Sequence, residues 1–164
     1  MSNWRWRFGR FAGMPRHKEA GQALVELALT VPILLLLLLG AAELARVAYA
    51  AIEVSNAAEA AVRYGAQNST TADPENWPAI QAAAETDAAN LPLTSVTPAL
   101  VCGCSNGTVS GQSCTGFTIS NCPGSHNVET LIVTTTANFD PLIHVQGLPT
   151  SFTLTGRAIQ EVLY

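Results

Sequence analysis

Four cysteines, three histidines and one carboxylate set inside an apolar run are the residues of this chain whose types and spacing could do chemistry. Cys102, Cys104, Cys114 and Cys122 fall in one Gly/Ser/Asn-rich stretch. In an exported domain, four thiols so close together predict two disulfides. Three pairings are open; the spacing favours Cys102 and Cys104 each joined to one of the later two, because neighbours on one face of an extended strand are poorly placed to bridge each other. A tetrahedral zinc site is the competing reading of four thiols, and the Cys-x-Cys spacing weighs against it. A redox pair needs Cys-x-x-Cys, which is absent. His17, His126 and His144 stand far apart, and only Asp140 with His144 offers an acid-base or metal pair; solvated loop residues are the plainer reading. No phosphate loop, dinucleotide fingerprint or Gly-x-Ser-x-Gly elbow occurs. No active site is expected, and with it no enzyme activity, metal, cofactor or small-molecule substrate.

The carboxylate is Glu26. It sits at the start of a run in which Leu27 to Ala42 carry no charge and only Thr30, Pro32 and Gly40 interrupt the apolar side chains. A helix over 23–42 spans roughly 30 Å, the hydrocarbon thickness of a bilayer. An ionised side chain there is costly unless something pairs with it. Gly21 lies five residues earlier. A cut after Gly21 makes Gln22 the first residue and Glu26 the fifth, placing a free amine and a carboxylate about one helical turn apart, or opposite each other on neighbouring subunits. The plainer role for Glu26 is an interfacial charge favoured by the positive end of the helix dipole.

Charge sets the expected orientation. Arg5, Arg7, Arg10, Arg16 and Lys18 precede the run, so positive-inside topology keeps the N-terminus in the cytoplasm and exports the remainder. Beyond Gly21 the chain holds 3 basic against 11 acidic side chains, so nothing there suggests a phosphate-binding surface and no nucleic-acid partner is expected. Trp4, Trp6, Phe8 and Phe11 among the arginines suit an anionic membrane surface, with a plain unstructured leader as the alternative. An ordinary secretory signal cut after Ala48-Tyr49-Ala50 is the rival for the whole segment, at the cost of an overlong apolar region and a distant cut.

The stretch Gly21-Gln22-Ala23-Leu24-Val25-Glu26-Leu27-Ala28-Leu29, with Pro32, the leucine run, Gly40, Glu43, Arg46 and then Asn56-Ala57-Ala58-Glu59-Ala60-Ala61-Val62-Arg63, resembles the TadE family of pilus-assembly proteins and, more generally, type IV prepilins. Leu27 stands where an aromatic often follows the glutamate in that group. The resemblance covers about the first third of the chain. It implies a minor pilin or pseudopilin of a Flp/Tad pilus, cut by a prepilin peptidase between Gly21 and Gln22, with Glu26 setting register among membrane-embedded subunits. It implies as partners the membrane, other pilus or pseudopilus subunits and the peptidase, and a bacterial inner-membrane location with entry into an adhesive surface fibre. TadG-like proteins share this N-terminal pattern, so assembly factor and fibre component both stay open.

Past the run, Leu44, Val47, Ala48, Ala51, Ile52, Ala58, Ala61 and Val62 recur at three- and four-residue steps, predicting that the helix continues as an amphipathic one. From Gln22 to Tyr64 it would be about 65 Å long. Glu59 and Arg63 are spaced for an ion pair, and Gly65 for a C-terminal stop. Gln67 to Ala72 reads as a polar connector; Asn68-Ser69-Thr70 and Asn106-Gly107-Thr108 match the glycosylation pattern only formally. Asp73-Pro74 starts a second helix, with Trp77, Ile80, Ala83, Ala84, Ala88 and Leu91 on its apolar side, that ends at Pro92. Strands are expected over 95–101, broken near Pro98, over 129–139 and over 151–163.

These readings give an α+β, pilin-like, single-pass membrane protein whose long N-terminal transmembrane-plus-amphipathic helix packs on a small antiparallel sheet. The expected division is a basic leader 1–21, a transmembrane helix 22–42, its extracytoplasmic continuation 43–66 and an exported domain 67–164. The alternative function is an unprocessed, membrane-anchored binding module that uses the disulfide-stapled loop as its contact surface.

Overall fold

The computed structural model describes residues 20–143, 147 and 149–163. The basic and aromatic leader, His17 and His144 lie outside them, and with His144 the expected Asp140/His144 pair. Among the described residues there are an α-helix α1 (Ala20–Gly65), a one-turn α2 (Ser69–Ala72), a 3-10 turn (Pro74–Asn76) and α3 (Trp77–Asp87). They are followed by strands β1 (Leu93–Cys104), β2 (Gln112–Ser113), β3 (Asn127–Phe139) and β4 (Phe152–Glu161). This is an α+β chain with a long N-terminal apolar helix and a four-stranded antiparallel sheet in the order β2-β1-β3-β4. Two compact units meet in sequence at Gly40/Ala41.

The first unit's described part is α1 up to Gly40, with the side chains from Gly21 onward exposed. α1 is the one described helix long and apolar enough to cross a membrane. Pro32 lacks the N–H that would bond the Ala28 carbonyl, and two residues earlier the Thr30 hydroxyl donates to the Leu27 carbonyl at 3.2 Å.

In the second unit, α1 from Ala41 lays a face of small residues on the sheet. Ala57, Ala58, Ala61 and Val62 pack with Ile80 and Ala84 of α3, with Ala88 just after it, with Leu131 and Val133 of β3, and with Ala158. The amphipathic pattern is therefore real, but its buried side also takes Ala50 and Val54, while Leu44, Ala48 and Ile52 face outward. Alanine is neutral enough to serve either face, so periodicity alone leaves the rotation of such a helix open.

Two backbone approaches fix how helix and sheet meet. The buried Thr135 hydroxyl donates to the Val54 carbonyl at 2.7 Å. At Gly156 the same carbonyl comes so near that a Cβ would collide with it, and with Thr135 Oγ1 at 2.8 Å. Thr135→Val should lower stability by about 1 kcal/mol, since Val54 keeps its helical partner and only the buried hydroxyl bond is lost. A reduced urea midpoint at unchanged slope checks this, with Thr135→Ser retaining most of the stability.

Several expected boundaries shift. The connector before Asp73 holds α2, because Asn68 caps it: the Asn68 side chain accepts from the Thr71 N–H at 2.9 Å and the Asn68 N–H donates to Thr71 Oγ1 at 3.3 Å. Asp73 precedes a 3-10 turn and makes no side-chain cap, and α3 ends at Asp87 rather than running on to Pro92. Gly65 ends α1 without a left-handed backbone; it is small because Leu131 and Ile80 press on it. The Thr71 hydroxyl donates to the Gly65 carbonyl at 2.9 Å.

β1 runs through Pro98 without a break. Gln81 Nε2 donates to the Val96 carbonyl at 3.1 Å and the Cys104 N–H bonds to the Val109 carbonyl at 2.8 Å, so the backbone groups of that parity face away from β3. Pro98 shares the parity, and its missing donor falls on the open edge of the strand. Within β4, Gly156 and Ala158 are buried between exposed Thr155, Arg157 and Ile159, whereas Leu154 is half-buried and Phe152 at the start of the strand is exposed. The Glu59/Arg63 pair is formed at 2.8 Å on the surface, where it contributes about 0.3–0.5 kcal/mol.

Candidate functional site

The apolar run positions its chemistry simply, since every residue is one step of a helix. Gly21, Gln22 and Glu26 are all helical and exposed. Gln22 and Glu26 are an i,i+4 pair on one face, about 6 Å apart along the axis. Neither salt bridge among the described residues involves Glu26. A side chain at Gly21 would meet open space, so packing does not demand glycine there.

A second constellation begins at Glu43, the first charge after the run. Its carboxylate pairs with Arg46 Nη1 at 3.0 Å and accepts the Leu142 N–H at 2.7 Å, tying the loop after β3 to α1. The Arg46 guanidinium lies 5.2 Å from the centre of the Phe139 ring, a cation-π distance. One turn on, the Tyr49 hydroxyl donates to Glu53 Oε1 at 3.0 Å, and Asn90 Nδ2 reaches the same oxygen at 3.5 Å. Arg46, Tyr49, Glu53, Asn90, Phe139 and Asp140 line a cleft of about 660 Å³. Sequence reasoning missed this cluster; the available signal was Glu43 and Arg46 one helical turn apart directly after the uncharged run.

The bond to Glu53, and then its negative charge, hold the Tyr49 phenol above its ordinary value of 10.0. A raised value favours the neutral phenol in the fold, so its contribution to stability is complete below the ordinary value and is lost as pH rises through the raised one. The phenolate absorbance of the parent minus that of Tyr49→Phe should therefore titrate later than a free tyrosine, and Glu53→Gln should bring that difference back toward the ordinary value.

The cysteine loop is built on β1. Cys102 is joined to Cys114 with Cα atoms 5.0 Å apart, and Cys104 to Cys122 at 5.4 Å. Both bridges leave the same strand face, and Cys102, Cys104 and Cys122 are buried. Gly103 between them is needed because a Cβ there would stand 2.8 Å from the Val109 carbonyl of the returning loop. The bridge from Cys102 also brings in β2, paired through Val101↔Ser113 and Cys102↔Gln112. His126 contacts Ser105, with Nδ1 3.2 Å from its hydroxyl. No group of three His, Cys, Asp or Glu arranged to hold a metal ion occurs among the described residues. Asp140 is exposed at the end of β3.

Residues 21–63 match the family model described as TadE-like protein. That span takes in Gly21, Gln22, Glu26, Glu43, Arg46 and the alanine face of α1, and stops before the cysteine loop. No curated protein and no solved structure matches the chain.

Proposed function

We propose, from a chain that is TadE-like over residues 21–63 and so associated with Tad/Flp pilus systems, a structural role as a minor pilin or pseudopilin. Pilus-associated TadE-like proteins are generally not enzymes. The observation that carries the reading is the exposed stretch of α1 over residues 21–42, in which Glu26, one turn beyond Gln22, is the single charged side chain. In lipid such a charge needs a partner. A prepilin peptidase cutting after Gly21 would create that partner as the amine of Gln22, on the same chain or on the next subunit. In this reading residues 22–42 span the inner membrane, 43–66 continue the helix outside and 67–164 form the exported domain. The five basic leader residues hold the N-terminus in the cytoplasm. Its partners are then the peptidase, the membrane and other pilus subunits.

The N-terminal residue of the chain purified from its own membranes tests processing: Gln22 is expected, and an intact leader sinks that part of the reading in favour of an anchored binding module. Glu26→Ala should insert normally yet lose most co-purification with other pilus components. Equal recovery of the variant would remove Glu26 from any role in register.

A further inference from the structure

The second unit carries a group of exposed apolar side chains that its own packing leaves unused. Leu142 is 72 % and Ile143 44 % exposed in the turn after β3, Leu44 is 72 % exposed on α1, and Phe152 is 43 % exposed at the start of β4. They belong to one end of the unit. The Leu142 N–H is bound to Glu43 next to Leu44, and Phe152 pairs in register with Phe139, whose ring lies under Arg46. Large exposed apolar groups at one end of a folded unit, Leu142 among them in a turn held to α1 by a backbone hydrogen bond, mark a surface with a partner.

We infer that this end of the folded unit, through Leu142 and Ile143 with Leu44 and Phe152, sits in the lipid interface. The inference rests on reading the first part of α1 as a membrane span. Glu43 and Leu44 are the first two residues after the uncharged run, so a turn pinned to Glu43 lies at the level where that run ends. A bilayer is the apolar partner to which the run already commits the chain. The polar groups fit the same level: Glu43 is neutralised by Arg46 and by a backbone N–H, and Arg46 spreads over an aromatic ring, an arrangement suited to the headgroup region. Pro141 offers no N–H that lipid would leave unpaired.

The test uses the full chain, one copy per nanodisc of phosphatidylethanolamine and phosphatidylglycerol, with Trp4 and Trp6 replaced by Phe so that Trp77 gives a constant background. Single reporters are Leu142→Trp, Ile143→Trp, Leu35→Trp within the run, and Ile159→Trp toward the other end of β4. We expect blue-shifted emission at positions 142 and 143 and a loss of intensity with lipids brominated near the headgroup. Position 35 should be quenched by lipids brominated in mid-chain, and position 159 by neither. Positions 142 and 143 unquenched while 35 is quenched would overturn the inference and leave the span intact. An unquenched position 35 overturns both. A shift at 142 that appears only with two copies per disc, without bromine quenching, assigns the patch to a second subunit, and quenching at 159 equal to that at 142 shows indiscriminate adsorption; either result overturns the inference.

Discussion

Gly156→Ala should cost the folded unit about 3 kcal/mol, at the upper end of what overpacking one methyl usually costs. The reason is what the new carbon would strike. Its neighbours are the Val54 carbonyl and Thr135 Oγ1, so helix backbone and sheet must move apart, and the hydrogen bond between Thr135 and Val54 stretches as they do. Gly65→Ala is the instructive contrast. There the obstructing atoms are the ends of Leu131 and Ile80 side chains, which can turn aside, and a loss nearer 1 kcal/mol is expected. Urea unfolding of the two variants in the same detergent checks both; equal losses would show that the close approach at Gly156 is not what spaces helix from sheet.

Removing either of the two bridges should have a comparable effect by a different route. Cys102 to Cys114 and Cys104 to Cys122 close loops with sequence separations of 12 and 18. Each loop of that length confers about 3 kcal/mol in the chain-entropy account. Domains of this size have roughly 5–15 kcal/mol in all. The double variant Cys104→Ala/Cys122→Ala should therefore lose a large share of its stability, with Cys102→Ala/Cys114→Ala close behind. Hydrogen exchange should accelerate first across residues 105–126, whose backbone makes few ladder bonds, and last at the middle of β3. Uniform acceleration over the whole sheet would mean that the bridges stabilise the core rather than the loop.

Much of this architecture was legible from residue order, and the exceptions have physical causes. The apolar run, the β-branched stretch that became β3 and the cluster of four cysteines each carry a strong local signal. β2 carries none: two residues pair with β1 at the point where Cys114 is bonded to Cys102. Pro98 suggested a break because a proline is damaging in a strand paired on both sides, and only tertiary contacts reveal that its nitrogen faces an open edge. The rotation of α1 was ambiguous because Ala50, Val54 and Ala57 compete on nearly equal terms with Leu44, Ala48 and Ile52, and the close approach of β4 decides between them. Glu26 and Gly21 stood out in the sequence because the odd charge and the glycine are one-dimensional features. The cluster of Glu43, Arg46, Phe139 and Leu142 did not, since its members are drawn together from positions almost a hundred residues apart.

The hydrogen bond from Thr135 to Val54 also joins residues 81 positions apart, and this bears on time as well as on structure. A chain made from its N-terminus presents α1 long before β3 and β4 exist to cover it. During that interval the face destined for burial stands open to water and to other chains. A leucine-rich face would be adhesive throughout the wait. Ala50, Ala57, Ala58 and Ala61 expose little apolar area each, and acquire their full grip only when Gly156 lets the last strand close in. The smallness of that face thus suits a helix that must remain uncommitted until β4 has been made.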